Sequence, residues 1–353
     1  MKDKKIKVLV VDDQALIRSI IQRGLQSSED IEVVAKAGDA YEARDKIIEF
    51  QPDVVTLDVE MPKMNGLDFL KKLMPQYPIP VVMVSSLTRD GQSTTLEALE
   101  AGAVDFVAKP DGTEGSMQLM IETLADKIRI AATVDVSKYK KKEVPRRSVA
   151  TPASQLESEI RMIAIGASTG GTTALKDILC ELPADIPGTV IVQHMPEGFT
   201  KMFAERLNQL CAMEVKEAED GDEVKKGRVL IAPGDKNMYV EKKGGKFVVK
   251  IKIDDKVSGH RPSVDALFHS IAAIGTCENI LGVILTGMGK DGAAGITAMR
   301  DKGATTIGQD QDSCVVYGMP REAFLLGGIE KQIALEHIAG AMIKVIHTRF
   351  VKK

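Results

Sequence analysis

A single serine lies among glycines at the end of an apolar run, in Ile163-Ala164-Ile165-Gly166-Ala167-Ser168-Thr169-Gly170-Gly171. A helix-like segment, Thr172 to Glu181, follows it. A hydroxyl on such a turn can attack a carbonyl, as the strand, turn, helix pattern G-x-S-x-G over Gly166–Gly170 allows. The same loop could instead cradle a phosphate on the free amides that open the helix. The glycines alone leave both chemistries open.

A nucleophilic serine needs a base, and the chain has five histidines. His337 and His347 fall on an amphipathic C-terminal helix and His269 inside another helix, where structural roles are expected. His260, in Ser258-Gly259-His260-Arg261-Pro262-Ser263, lies in a loop where it could bind a substrate. His194 is the best placed. It follows the apolar run Thr189 to Gln193, at the carboxyl end of the next parallel strand, and a structural loop histidine is the bland alternative. A triad also needs a carboxylate to hold the imidazole tautomer. Asp291, on the glycine-rich turn Thr286-Gly287-Met288-Gly289-Lys290-Asp291-Gly292 after the strand Leu281 to Leu285, fits that need, with a helix N-cap as its simpler role. The order Ser, His, Asp differs from the Ser, Asp, His order of α/β-hydrolases. The phosphate reading has less support: no G-K-[ST] follows, and Ser168 stands where a dinucleotide fingerprint has its second glycine. A nucleotide-binding, non-catalytic output domain is therefore the alternative.

A second group of chemistry-bearing residues lies near the N-terminus. Asp12 and Asp13 end one strand, Asp58 a second, Ser85 a third, and Lys109-Pro110 a fourth. Carboxylates brought together repel unless a divalent cation sits among them, and hard oxygen donors suit Mg²⁺. A metal with an ammonium group would stabilise a phosphoryl group carried on one carboxylate. Singly, Asp13 could be a helix cap and Lys109 a solvated end.

The elements that must position these residues alternate along the chain. Strands are expected at 6–11, 31–37, 54–57, 80–84 and 104–108, with helices at 16–25, 40–49, 66–74, 92–101 and 116–131. This (βα)5 pattern implies a doubly wound parallel sheet whose ligands gather at the carboxyl ends of its strands. Apolar periodicity fades over 132–158, where lysines and arginines surround Pro145, and a flexible, solvated linker is expected there. The segment 159–353 reads as a second α/β unit. Its strands are expected at 162–165, 189–193, 229–232, 238–242, 247–253 and 280–285, and its helices at 172–181, 200–210, 263–274, 292–301 and 335–349. The 238–253 stretch, turning at Gly244-Gly245, reads as a β-hairpin.

Composition narrows the function classes. The 47 basic and 50 acidic residues give a formal charge of −3, which argues against a nucleic-acid binder or a membrane-surface binder. No apolar run is long enough to span a bilayer and no signal peptide is evident, so a cytoplasmic protein is expected. The four cysteines, Cys180, Cys211, Cys277 and Cys314, are widely spaced in apolar contexts and read as buried thiols rather than disulfides or zinc ligands.

The N-terminal segment resembles the response-regulator receiver domains through Val10-Val11-Asp12-Asp13, Leu57-Asp58-Val59-Glu60-Met61-Pro62, Pro80-Val81-Val82-Met83-Val84-Ser85 and Ala108-Lys109-Pro110. The resemblance implies a receiver over 1–131 with Asp58 as phosphoacceptor and Asp12 and Asp13 beside it as acids of a Mg²⁺ site. It also implies Ser85 as hydroxyl switch and Lys109 as phosphate partner. Phe106 stands where many receivers carry tyrosine. The chain as a whole resembles the chemotaxis protein-glutamate methylesterase family. The second-unit motifs carrying the likeness are Gly166–Gly171, Gln193-His194-Met195-Pro196, His260–Asp265, Leu285–Gly292 and the tail motif Gln309–Pro320.

That resemblance implies a phosphorylation-activated hydrolase with Ser168, His194 and Asp291 as catalytic residues. Thr169 would help place the imidazole, the Met288 amide would help hold the oxyanion, and the esterase would need no cofactor. Substrates would be methylated glutamates on the cytoplasmic helices of chemoreceptors, with glutamine deamidation as a second activity and methanol or ammonia leaving. The implied phosphodonor is a chemotaxis histidine kinase, with no nucleic-acid partner and no membrane insertion. The receiver is expected to restrain the esterase by covering the mouth of the Ser168 site until phosphorylated.

Overall fold

The structure, a computed structural model, describes residues 5–110, 115–136 and 160–348. The chain divides into two compact units, Met1–Val144 and Pro145–Lys353. Of the expected linker, residues 132–136 are described, with Val134 and Val136 buried, and residues 137–158 lie outside the described residues.

In the first unit, β1 (Ile6–Val11), β2 (Ile31–Ala37), β3 (Val54–Asp58), β4 (Val81–Ser85) and β5 (Asp105–Ala108) alternate with α1 (Ala15–Leu25), α2 (Ala40–Phe50), α3 (Gly66–Gln76), α4 (Arg89–Glu100) and α5 (Ser116–Ala131). All strand pairs are parallel, in the order β2-β1-β3-β4-β5. Every residue of β3 and β4 is buried, which is why these strands read as continuous apolar runs rather than alternating ones. Strand order reverses between β1 and β3, opening a crevice at their carboxyl ends. Helix α4 starts at Arg89 rather than 92, because Thr88 caps it by accepting the Gly91 N–H at 3.1 Å before any apolar repeat begins.

The second unit runs β6 (Met162–Ala167), α6 (Gly171–Glu181), β7 (Gly188–Gln193), α7 (Phe199–Leu210), β8 (Glu214–Glu217), β9 (Arg228–Ile231), β10 (Asn237–Lys243), β11 (Lys246–Lys252) and α8 (Val264–Ala273). It continues with β12 (Ile280–Ile284), α9 (Ala293–Asp301), β13 (Thr305–Gln309), α10 (Met319–Leu325), β14 (Lys331–Ile333) and α11 (Leu335–Thr348). Seven parallel strands lie in the order β14-β13-β12-β6-β7-β9-β8. One face packs on α8, whose Leu267, Phe268 and Ile271 meet Met162, Val190 and Leu230 in a single buried cluster. Strands β10 and β11 form the expected antiparallel hairpin.

Sequence reading missed β8, β13, β14 and α10. The short strands β8 and β14 lie at the sheet edges and carry charges, so they show no buried run. Strand β13, Thr-Thr-Ile-Gly-Gln, is wholly buried yet mostly polar, its burial being supported by hydrogen bonds rather than apolar side chains. The cysteine reading also needs correction. Cys277 is buried, but Cys180 is exposed, Cys211 and Cys314 are partly exposed, and the Cys180 and Cys211 sulfurs lie 3.8 Å apart.

Candidate active site

Strand β6 is the middle strand of its sheet, flanked by β7 and β12. Ser168 directly follows β6, His194 follows β7, and Asp291 lies beyond β12, so adjacency in the sheet brings three distant segments to one edge. The turn bearing Ser168 is fixed through its backbone. Its N–H donates to the Thr286 carbonyl at 3.0 Å, and its carbonyl accepts the Gly171 N–H at 2.7 Å and the Gln193 side-chain amide at 2.9 Å. Gly170, at φ +79°, turns the chain into α6 through a conformation that side chains disfavour.

Residues that sequence reasoning did not assign a role build the support behind this turn. Gln309 accepts the Thr286 N–H at 2.9 Å, and the Thr286 hydroxyl donates to the Thr169 carbonyl at 2.9 Å. The buried end of β13 therefore positions the segment that positions Ser168. Along the chain this support shows only as membership of two motifs, Thr286 in Leu285–Gly292 and Gln309 at the head of the tail motif.

His194 donates from Nε2 to Asp291 Oδ2 at 2.7 Å. Its ring is 10% exposed, and Nδ1 is buried with no hydrogen-bond partner among the described residues. The ring stacks on His260, with centroids 3.9 Å apart and planes 11° from parallel. His260 is presented by a tight loop in which its backbone and that of Val257 exchange both hydrogen bonds around Ser258 and Gly259, each at positive φ. His269 falls on α8, and His337 and His347 on α11.

Asp291 is 1% exposed and is not the cap of its own helix. Its carboxylate instead faces the first turn of α8, accepting the Ser263 hydroxyl at 2.8 Å, the Val264 N–H at 2.8 Å and the Asp265 N–H at 2.9 Å. Burial works to raise its pKa. The hydrogen bond and charge of His194, then the Asp265 and Val264 amides, outweigh that and hold it below the usual carboxylate value. The carboxylate is thus kept ionised although buried, at the positive end of a helix. Thr169 is buried beside Ser168, while Met288 is exposed. Gly287, next to Met288, packs so closely that a Cβ there would lie 2.7 Å from Ser168 Cβ.

The first unit gathers a different set. Lys109 Nζ lies 3.0 Å from Asp12 Oδ2 and 2.8 Å from Asp58 Oδ2, with both carboxylates buried and Asp13 exposed beside them. Carboxylate oxygens of Asp12, Asp13 and Asp58 lie within 4.8 Å of one another. Burial is the main reason the Asp58 pKa is raised to about 6, with Asp12 adding to it and Lys109 opposing. Neither buried Oδ2 accepts a well-aligned hydrogen bond from the described residues. Two buried oxygens that share a single ammonium, with the exposed Asp13 carboxylate beside them, are hard donors that fit a Mg²⁺ ion. The Ser85 hydroxyl is turned toward α4, within 3.2 Å of the Gly91 carbonyl and accepting from Thr95 at 2.6 Å. Phe106 is buried. Among the described residues no helix is long and apolar enough to cross a membrane.

Comparison with known proteins agrees with both halves. Residues 163–342 match the CheB methylesterase family and residues 8–120 the response regulator receiver domain. A protein-glutamate methylesterase/protein-glutamine glutaminase of Syntrophotalea carbinolica is 53% identical over 352 residues, covering 98% of this chain and 99% of the relative. One of the same name from Salmonella typhimurium is 52% identical over 343 residues, covering 97% of each. The crystal structure of the Thermotoga maritima CheB methylesterase catalytic domain superposes with a TM-score of 0.51 at 40% identity, covering 53% of this chain and 98% of that one. These matches lend nothing to a nucleotide-binding output domain. Sequence, fold and paired sites agree, and the chain belongs to the CheB methylesterase family, with a response-regulator receiver domain preceding the esterase.

Proposed function

We propose that this protein is a phosphorylation-activated protein-glutamate methylesterase that also deamidates protein glutamines, acting on chemoreceptors in chemotactic adaptation. The observation that carries the chemistry is the 2.7 Å contact from His194 Nε2 to Asp291, which leaves Nδ1 as the basic nitrogen. Ser168 Oγ attacks the glutamyl ester carbonyl as its proton passes to His194 Nδ1. The tetrahedral oxyanion is held by backbone N–H groups, that of Met288 among them, a role worth about 3–4 kcal/mol in comparable sites. Collapse breaks the bond to the methoxy oxygen, which takes the His194 proton and leaves as methanol. Water then adds to the acyl-serine with His194 as base, freeing the glutamate carboxylate and Ser168. With a glutamine side chain, ammonia leaves instead. Thr169, buried beside the nucleophile, helps hold the imidazole in line.

Asp58 is the phosphoacceptor, and Asp12, Asp13 and Asp58 would hold Mg²⁺. Mg²⁺ held by these carboxylates would supply charge neutralisation for them and for a phosphoryl group on Asp58. Lys109 pairs with the phosphoryl group, and the Ser85 hydroxyl leaves Gly91 to meet it, moving the start of α4. The phosphodonor is a chemotaxis histidine kinase, and the enzyme works in the cytoplasm. The test is incubation with methyl-labelled receptor membranes, with and without a phosphodonor and Mg²⁺. Released methanol that rises with donor is expected, and no methanol under either condition overturns the reading.

A further inference from the structure

Two cysteines outside the catalytic edge lie against each other. Cys180 is in the last turn of α6, and Cys211 is the first residue beyond α7. Their sulfurs are 3.8 Å apart although 31 positions separate them in sequence, and Cys180 is exposed to solvent. A disulfide needs sulfurs about 2 Å apart, so the two thiols, already in contact, must approach by about 2 Å more. The hydrogen bond to Cys180 is the main reason the Cys211 thiol is raised above its ordinary pKa, with burial adding to it. Cys211 is therefore the thiol of the pair that holds its proton more tightly. An oxidant thus meets an accessible sulfur backed by a second, half-covered one, the arrangement of an attacking and a resolving thiol.

We propose that Cys180 and Cys211 form a reversible redox site, closed to a disulfide between α6 and α7 by small-molecule disulfides. The Cys180 thiolate attacks one sulfur of the oxidant, forming a mixed disulfide and releasing one small thiolate. Cys211 then loses its proton and attacks the Cys180 sulfur, releasing the second. One oxidant disulfide is reduced to two thiols while two protein thiols become one cystine. The closed loop encloses β7 and His194, and α6 and α7 are the helices that lead away from Ser168 and His194. A reduced small thiol reverses the exchange. The other cysteines do not share this geometry, Cys277 being buried among α8 and β12 residues of the core.

The test uses the full-length chain equilibrated in glutathione buffers of increasing oxidised fraction, quenched with an alkylating reagent, digested and read by mass spectrometry. The expected result is a Cys180–Cys211 cross-linked peptide that is lost again on adding reduced glutathione. Cys211→Ser should instead accumulate a stable glutathione adduct on Cys180, since the resolving thiol is gone. Wild-type protein that carries only a glutathione adduct on Cys180, or that leaves both thiols alkylated throughout, overturns the proposal.

Discussion

Asp291 closes the N-terminus of α8 with the same carboxylate that holds His194 Nε2 at 2.7 Å. The group that orients the base is therefore itself oriented by a helix from another part of the chain. Replacing it with asparagine leaves the shape but removes the charge and allows the wrong imidazole tautomer. Asp291→Asn should lower methanol release by roughly 10⁴-fold, as loss of the analogous charge does in serine proteases. Its lowered pKa means the wild type gains stability from this group above the ordinary carboxylate range and loses it as pH falls through the depressed value. Acid titration of the folded state should show that loss in the wild type and not in the variant.

Ser168→Ala and His194→Ala should each remove nearly all methanol release while the melting temperature stays close to that of the wild type. The residues act as a unit, so the double variant should lose little beyond either single one. Substantial activity in Ser168→Ala would mean another group is the nucleophile.

The His260 ring stacks face to face on the His194 ring. Aromatic contacts of this kind are worth about 0.5–1.5 kcal/mol beyond burial, so His260→Ala should slow hydrolysis by roughly 2- to 10-fold. His260→Phe, which keeps a ring against His194, should recover most of the rate. Equal losses in both variants would point to a polar role for His260 instead.

Asp58→Asn should abolish Mg²⁺-dependent labelling by acetyl phosphate. The same substitution makes a prediction about stability. A carboxyl whose folded pKa is raised to about 6 contributes stability at low pH that is lost as pH rises through that value. In a chelator at pH 8, Asp58→Asn should therefore be the more stable protein, by up to about 3 kcal/mol. The gap should narrow as pH falls below 6 and vanish only below about 3.8, and Mg²⁺ at pH 8 should stabilise the wild type more than the variant. Denaturant melts under these conditions measure it.

A fragment beginning near Gln155 should hydrolyse receptor methyl esters faster than the unphosphorylated full chain and ignore phosphodonor. A regulatory coupling of about 1–3 kcal/mol corresponds to roughly 5–150-fold in rate-competent population. Identical rates for fragment and unphosphorylated chain would assign the receiver a docking role.

Much of this was legible in the sequence because the chemistry sits at strand ends. Strand β6 is an apolar run and Ser168 follows it at once; the same holds for β7 and His194. The pairing of Asp291 with His194 was read from the sequence, but its second task, at the start of α8, was not legible. Read along the chain it looks like a cap for α9, and only the fold shows its carboxylate serving α8. The stack of His260 on His194 was hidden for the same reason, being made by a loop 66 positions away. Strand β13 escaped notice because four of its five buried positions are threonine, glycine and glutamine, which carry no apolar signal until their hydrogen-bond partners are known, and Ile307 alone makes no pattern.

Strand β6 has three strands on either side of it. Thermal fraying starts at sheet margins, where backbone groups lack partners on one side. Amide protons of β8 and β14 should then exchange with deuterated water well before those of β6, and a brief opening at either margin leaves the serine turn undisturbed. The enzyme can breathe at its borders while its nucleophile stays in register.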